Sequence, residues 1–516
     1  MENLHETLRY WARRWPARLA IRSGARDITW GALDQSSDEI AAGLHAAGVH
    51  KGDRVGVLLH NRIEFIETML GVWKIGAAVT LLNVRFTPRE MVYPVTDAGL
   101  CVIVTEPCLL AALSEAIVTN ASLRVFSTEC VDQAETLDDL RAIGTSVPDV
   151  EVNRDDVALI CYTSGTTGVP KGAIISHGNL WASSLARVVP SGINFQDRLL
   201  VSLPLAYTGG ISNYIREGLV PGATTVLESS FDADVLMAVI EREKITTWTS
   251  VPVLLERILQ HRRFREIDFS SLRHVCAGGA PVSKFLLRSW REIGVPITQG
   301  YGLTESSGGF ATVLFPDEAE RKLGSAGRSV MHTDLRVVGA HGQPSAVGEV
   351  GEICISGPTV MQGYLNKPEE TQAIMAGRWM RTGDTGFLDE QGFLTIVDRS
   401  KDMLISGGLN VYPAELERAL ADVPGIGEFV IIGVPDERWG EVPMIIAHGC
   451  IELDVEVLKT RCRQELADYK RPRYLVDYGR PLPRTYSGKV LKWQLRQDFA
   501  SAPSDAVWLK DGPRQD

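Results

Sequence analysis

The chain has 516 residues, too many for one hydrophobic core, which predicts two or more domains. Its 45% hydrophobic and 23% charged content is that of an ordinary globular protein. A formal net charge of −11 with no long basic run excludes a nucleic-acid-binding class, and no uncharged apolar run reaches the length of a membrane span.

Residues 1–15, MENLHETLRYWARRW, mix acidic and basic side chains and lack the apolar stretch of a signal peptide. Leu4, Leu8 and Trp11 fall on one helical face, which predicts an amphipathic helix docked on the body. DRVGVLLHN at 53–61 reads as a strand, 62–77 as a helix, 77–83 as a strand, 88–98 as a helix and 100–106 as a strand. Apolar runs beginning at 123, 156, 199, 223 and 274 continue the series. Strands alternating with helices imply an α/β fold with parallel sheets covered by helices, and the alternation repeats too often for one small sheet. From about residue 320 the strands shorten between glycines and prolines. That change reads as an antiparallel, barrel-like piece, with DEQG at 389–392 as a hairpin turn. After 402 a smaller α+β segment follows: helix 414–424, strand 428–436 and helix 455–466. DRSKD at 398–402 is the expected boundary, giving an N-terminal domain 1–400 and a small, mobile C-terminal domain 401–516. The basic stretch QHRRFRE (260–266) reads as a solvated helix end and residues 501–516 as a frayed tail. The eight cysteines form no C-x-x-C pair and read as reduced, mostly buried thiols of a cytoplasmic protein.

Residues 162–172, YTSGTTGVPKG, carry the most chemistry. Seven of the eleven are Ser, Thr or Gly, so hydroxyls and open N–H groups can converge on oxygen anions. Lys171 can bring a point charge to a phosphate. The run lacks Walker A spacing, and a polar surface loop is the alternative reading.

The same run resembles the phosphate loop of the adenylate-forming superfamily: acyl-CoA synthetases, firefly-type luciferases and the adenylation domains of peptide synthetases. Four further segments resemble that family in the expected order: YGLTE (301–305), RTGD (381–384), DRSKDMLISGGLNVYPAELE (398–417) and LPRTYSGKVLK (482–492). Segments 299–330 and 381–417 look most like bacterial fatty-acyl-CoA synthetases.

The resemblance implies ATP, Mg2+ and CoA as co-substrates and a small-molecule carboxylic acid as partner. Activating a carboxylate with ATP brings two anions together, so cations and donors must neutralise both. By resemblance, Thr163, Ser164, Gly165, Thr166, Thr167 and Lys171 cradle the β- and γ-phosphates. Glu305 is the implied magnesium ligand, helped by Thr167, and Thr304 bonds the α-phosphate; hard oxygen donors suit that ion. Gly279, Ala280 and Pro281 resemble the adenine-side loop, and Tyr301 the ring stacked on the base. Asp384 resembles the carboxylate that takes both ribose hydroxyls, with Arg399 a second ribose ligand. Lys489 resembles the catalytic lysine that bridges the acid and the α-phosphate. Lys401 resembles the hinge about which the small domain swings, exchanging Lys489 for a face carrying Gly407 and Gly408.

For the acceptor, VPDERWGEVP (434–443) and LADYKRPRYL (466–475) resemble CoA synthetases. Trp439 and Tyr469 would flank the pantetheine, while Arg471 and Arg85 would meet CoA phosphates. The acyl pocket departs from the pattern. Tyr207, in LPLAYTGG, stands where relatives often have His; ESSGGF (305–310) offers small residues and close backbone for an apolar group, and Gly279, Gly302 and Gly308 are expected to line it with Tyr207. No Arg or Lys in these segments holds a second carboxylate, which disfavours a dicarboxylic acid. The expected activity is a two-step, AMP-forming ligase of a medium- or long-chain fatty acid or similar apolar acid with CoA. The alternatives are an aryl or alicyclic acid ligase, a fatty acyl-AMP ligase loading a carrier protein, or a silent homologue. Peripheral membrane contact and a homodimer are left open.

Overall fold

The computed structural model describes residues 3–163, 170–229, 232–279, 282, 284–319, 321–322, 324–339, 342–399, 404–411, 413–450, 453–483, 490 and 492–509. The apolar runs of the first third become Arg54–Leu58, Ala78–Leu81, Val102–Thr105, Arg124–Ser127 and Val157–Thr163, which are parallel neighbours in one sheet. Strands buried on both faces read as continuous apolar runs rather than alternating ones. This is why they were legible in sequence.

A second sheet is parallel through Leu19–Ser23, Thr224–Leu227, Arg198–Val201, Thr247–Ser250, His274–Gly278 and Ile297–Tyr301. Antiparallel strands close its edges, Arg26–Thr29 on one side and Thr312–Leu314 with Arg328–Ser329 on the other. Thr247–Ser250 and Ile297–Tyr301 escaped the sequence reading because threonines, Gln299 and Gly300 break up their apolar character. The antiparallel piece expected after 320 is a third sheet of Asp334–Val338, Gly351–Ser356, Trp379–Leu388, Met375–Ala376 and Leu394–Arg399. Contacts divide the chain into two compact units. The larger comprises Met1–Val84, Pro94–Tyr162 and Gly172–Asp398, and the smaller Arg85–Tyr93, Thr163–Lys171 and Arg399–Asp516. The smaller unit has its own sheet, in which Glu428–Asp436 and Gly440–His448 form a long antiparallel pair joined by the parallel strand Tyr474–Asp477.

The helix Leu4–Arg14 buries Leu4, Leu8 and Trp11 as its periodicity predicts, and the Asn3 side chain caps it by accepting from the Glu6 N–H. The Trp11 Nε1–H donates to the Leu219 carbonyl at 2.9 Å. Its ring fits over Gly222, which has φ +74° and where a Cβ would lie 2.5 Å from the ring.

Three expectations need correction. Four cysteines, at 161, 276, 354 and 462, are buried, but Cys108 and Cys130 are exposed. The helix Pro252–Gln260 ends before most of the basic stretch, and Phe264 turns inward against Phe269 and Trp290 at centroid distances of 5.4 and 5.5 Å. The tail is not wholly frayed: Val507–Trp508 pairs with Tyr474 and Leu475, Trp508 stands edge-on to Tyr474, and Leu509 is buried. Two apolar anchors are enough to hold a terminal segment that is otherwise polar. Among the described residues no helix is long and apolar enough to cross a membrane.

Gly222→Ala forces a Cβ into the Trp11 ring at an unfavourable φ. A loss of about 1–3 kcal/mol in chemical denaturation is expected, and an unchanged midpoint would contradict this docking.

Candidate active site

Parallel pairing places the carboxyl ends of Arg198–Val201, Thr247–Ser250, His274–Gly278 and Ile297–Tyr301 side by side. In open α/β sheets ligands bind in the crevice at those ends. The segments that leave them carry Tyr207, Gly279 and 302–308, so the fold gathers sequence-predicted residues that lie far apart in the chain.

The helix Thr208–Asn213 runs into a π-helical turn, Tyr214–Leu219, and this stretch packs against residues 302–310. Ser212 Oγ donates to the Ser307 carbonyl at 2.7 Å, Arg216 Nη1 donates to the Gly308 carbonyl at 2.7 Å, and the Thr208 and Thr304 hydroxyls lie 3.2 Å apart. A Cβ on Gly302 would meet the Gly309 carbonyl at 1.9 Å. One on Gly308, at φ +60°, would meet the Thr208 side chain at 2.5 Å. Glycine is therefore required at both positions by space, and at 308 also by conformation.

Thr304 and Glu305 sit on a short 3₁₀ turn, Thr304–Ser306, steadied by Ser306 Oγ, which accepts from the Leu303 N–H at 3.0 Å. The Tyr364 hydroxyl donates to Glu305 Oε1 at 2.7 Å, and the Met361 N–H donates to the Glu305 carbonyl at 2.9 Å. A fixed carboxylate beside a threonine hydroxyl is a set of hard oxygen donors and fits a magnesium ion. The Tyr301 hydroxyl donates to Asp384 Oδ2 at 2.6 Å, with Asp384 only 5% exposed. An aromatic ring joined to a buried carboxylate fits a nucleoside, the ring for the base and the carboxylate for ribose hydroxyls. Tyr207 Oη donates to Asn83 Oδ1 at 2.8 Å, and Gly279 has φ +81°.

Within the smaller unit the structure pairs two sets of residues expected to meet CoA. The Trp439 ring covers Gly407, where a Cβ would lie 2.5 Å from it, and the Gly407 N–H donates to the Trp439 carbonyl at 2.8 Å. Gly408 follows at φ +78°. The Arg85 guanidinium lies 5.6 Å from the Tyr469 ring centre. Arg471 donates its Nε–H to the Leu466 carbonyl at 2.9 Å. Thr163 Oγ1 donates weakly to the Lys171 carbonyl at 3.4 Å. Ser164, Gly165, Thr166, Thr167, Ala280, Pro281, Lys401, Lys489 and the Arg399 side chain lie outside the described residues.

Sequence reasoning missed Arg216, Tyr364 and Phe310. Arg216 and Glu217 interrupt the mostly apolar stretch 214–220, and charge inside such a run was the available signal. Phe310 lies against Gly300, where a Cβ would fall 2.3 Å from its ring, and no local pattern announces that contact.

The AMP-binding enzyme family matches residues 8–365, and the AMP-binding enzyme C-terminal domain matches residues 415–489. A feruloyl-CoA synthase of Amycolatopsis sp is 38% identical over 492 residues, 95% of this chain and 97% of its own. A long-chain-fatty-acid–CoA ligase of Mycobacterium tuberculosis is 34% identical over 504 residues, covering 97% and 99%. The o-succinylbenzoate CoA synthetase of Bacillus subtilis, solved with a product analogue, superposes with a TM-score of 0.86 at 31% identity over 95% of this chain and 98% of that one. The same enzyme has been solved in complex with ATP and magnesium ion, with a TM-score of 0.71 at 31% identity over 95% and 99%. The chain belongs to the AMP-binding enzyme family, within the adenylate-forming superfamily. It is an AMP-forming acid–CoA ligase, a class of that family that uses ATP, Mg2+ and CoA.

Tyr364→Phe removes the donor that fixes Glu305. The Mg2+ concentration for half-maximal rate should rise roughly tenfold or more while the melting temperature stays near wild type; an unchanged Mg2+ dependence would contradict this role for Glu305.

Proposed function

We propose that the protein joins a mainly apolar carboxylic acid to CoA in two steps. A carboxylate oxygen of the acid attacks the α-phosphorus of ATP, forming the acyl-adenylate as pyrophosphate leaves. The thiol sulfur of CoA then attacks the acyl carbon, forming the thioester as AMP leaves. The observation that carries the reading is the Tyr301–Asp384 hydrogen bond, on the same sheet end as the Thr304–Glu305 turn, a nucleoside seat beside a metal and phosphate seat.

In this reading Tyr301 stacks on the base against Gly279, Ala280 and Pro281, Asp384 and Arg399 hold the ribose, and Thr304 donates to the α-phosphate. The loop Thr163, Ser164, Gly165, Thr166, Thr167 and Lys171 holds the β- and γ-phosphates. Magnesium, held by Glu305 with Thr167, would neutralise charge on the polyphosphate. Lys489 neutralises the approaching carboxylate and the α-phosphate together. Lys401 lies at the hinge between domains 1–400 and 401–516, and its rotation replaces Lys489 by the face of Gly407, Gly408 and Trp439. Tyr469, Arg471 and Arg85 complete the CoA seat. A cytoplasmic location suits the thiols, which we take as reduced.

The acid occupies the region of Tyr207, Gly302 and Gly308, and is a medium- or long-chain fatty acid or a similar apolar acid. An aryl acid is the second reading. It is favoured by similarity to a feruloyl-CoA synthase and an o-succinylbenzoate CoA synthetase, whose named acids are aromatic. The relatives named above divide along the same line. CoA consumption measured across fatty, aryl and alicyclic acids, beside a phosphopantetheinylated carrier protein as rival acceptor, tests both choices. Transfer to the carrier without CoA thioester would overturn the CoA assignment.

Lys489→Ala should lower acyl-adenylate formation by roughly 10²–10³ and spare thioester formation from preformed adenylate; equal loss of both half-reactions would contradict the role of Lys489. Lys401→Pro should leave adenylation near wild type and suppress the thioester step, and suppression of adenylation instead would overturn the hinge.

A further inference from the structure

We propose that Arg216 reads the end of the acid remote from its reacting carboxyl, and that the preferred acid carries an acceptor oxygen there, phenolic, oxo or carboxylate, on its otherwise apolar body. The proposal rests on the acid ligase reading and specifies its substrate class.

Arg216 is 2% exposed and Glu217, its neighbour, is fully buried. Glu217 attracts Arg216 only through space and gives its ion pair to Arg187. Its carboxylate accepts from Arg187 Nε at 2.8 Å, from Thr247 Oγ1 at 2.7 Å and from Thr249 Oγ1 at 3.0 Å. Burial is the strongest influence and pushes that carboxyl up, but the Arg187 and Arg216 charges and the hydrogen bonds from Arg187 and Thr247 together hold it below its ordinary range. Among the described residues Arg216 makes no ion pair within 4.0 Å. Burial pushes the nearby Cys276 thiol up to about 11, so no thiolate supplies a counter-charge. Two guanidinium groups and one carboxylate leave this buried cluster with an excess positive charge.

A buried cation without a counter-charge is costly. The partners of Arg216 are the Gly308 carbonyl and the face of Phe310, 4.9 Å from the guanidinium carbon. Its Nε–H has no hydrogen-bond partner among the described residues. Neither does either amide atom of Asn213, three residues earlier on the same helical stretch, nor Ser183 Oγ, which a Cβ on Gly309 would meet at 2.0 Å. The unpaired Arg216 Nε–H and Ser183 hydroxyl thus lie beside residues 308–310, next to the glycines assigned to the acyl group. A plain hydrocarbon tail would leave all of them unpaired, whereas an acceptor oxygen would pair with the guanidinium by a charge-assisted hydrogen bond. The sequence reading found no cation for a second polar group because Arg216 lies in a helix about ninety residues before the glycine segment it touches.

The test compares matched acids: phenylpropanoic acid with its para-hydroxy derivative, and decanoic with decanedioic acid. For the wild-type protein, kcat/KM for the oxygenated member should exceed that of its partner by about tenfold or more in at least one pair. Arg216→Met should bring that ratio near one, and Arg216→Lys, which keeps the charge, should retain part of it. Preference for the hydrocarbon member in both pairs, or Arg216→Met lowering both members equally, would overturn the proposal and leave Arg216 as a clamp on Gly308. If Arg216→Met does not fold, the wild-type ratio and Arg216→Lys decide. Acid-dependent AMP formation without preference overturns the role of Arg216 alone, while its absence with every acid overturns the ligase reading as well.

Discussion

Residues 302–310 fold so tightly on themselves at Gly302, and approach the helical stretch 208–219 so closely at Gly308, that a side chain at either position is sterically forbidden. The hydroxyl of Ser212 and the guanidinium of Arg216 hold two successive carbonyls of that segment. The close approach fixes the turn that carries Thr304 and Glu305, and hence the distance between any acid lying along the glycines and any phosphate held at the turn. Reaction between two anions depends on such fixed placement, because donors that must reorganise lose most of their electrostatic value.

The other parts of the larger unit's site are held by hydroxyl clamps of the same kind. Tyr364 holds Glu305, Tyr301 holds Asp384, and Tyr207 holds Asn83. Each phenol reaches from a neighbouring strand or loop across to a functional carboxylate or amide, which keeps the polar group pointed without adding charge. Beneath them Glu217 accepts from Arg187, Thr247 and Thr249, and Arg216 stands beside that network in excess. Buried charge that does not serve stability is where a sequence departs from its own folding rules, and such places are expected at functional sites.

The sequence carried the fold where burial on both faces leaves continuous apolar runs, as in Arg54–Leu58 and Val102–Thr105. It was silent at Thr247–Ser250, whose threonines serve the buried Glu217 rather than strand patterning. Motif residues such as Thr304, Glu305 and Asp384 were legible because their spacing is local. Arg216, Tyr364 and Phe310 were not, since each acts through a contact between distant segments. The tail misread as frayed shows the same limit: Trp508 finds Tyr474 only once the sheet is built.

On this geometry the site makes an acyl-adenylate. Acid-dependent exchange of labelled pyrophosphate into ATP without CoA, followed by product stoichiometry once CoA is added, tests it most directly. Exchange should require the acid, and AMP, pyrophosphate and thioester should then form in equal amounts. Formation of ADP, or nucleotide turnover indifferent to the acid, would contradict it.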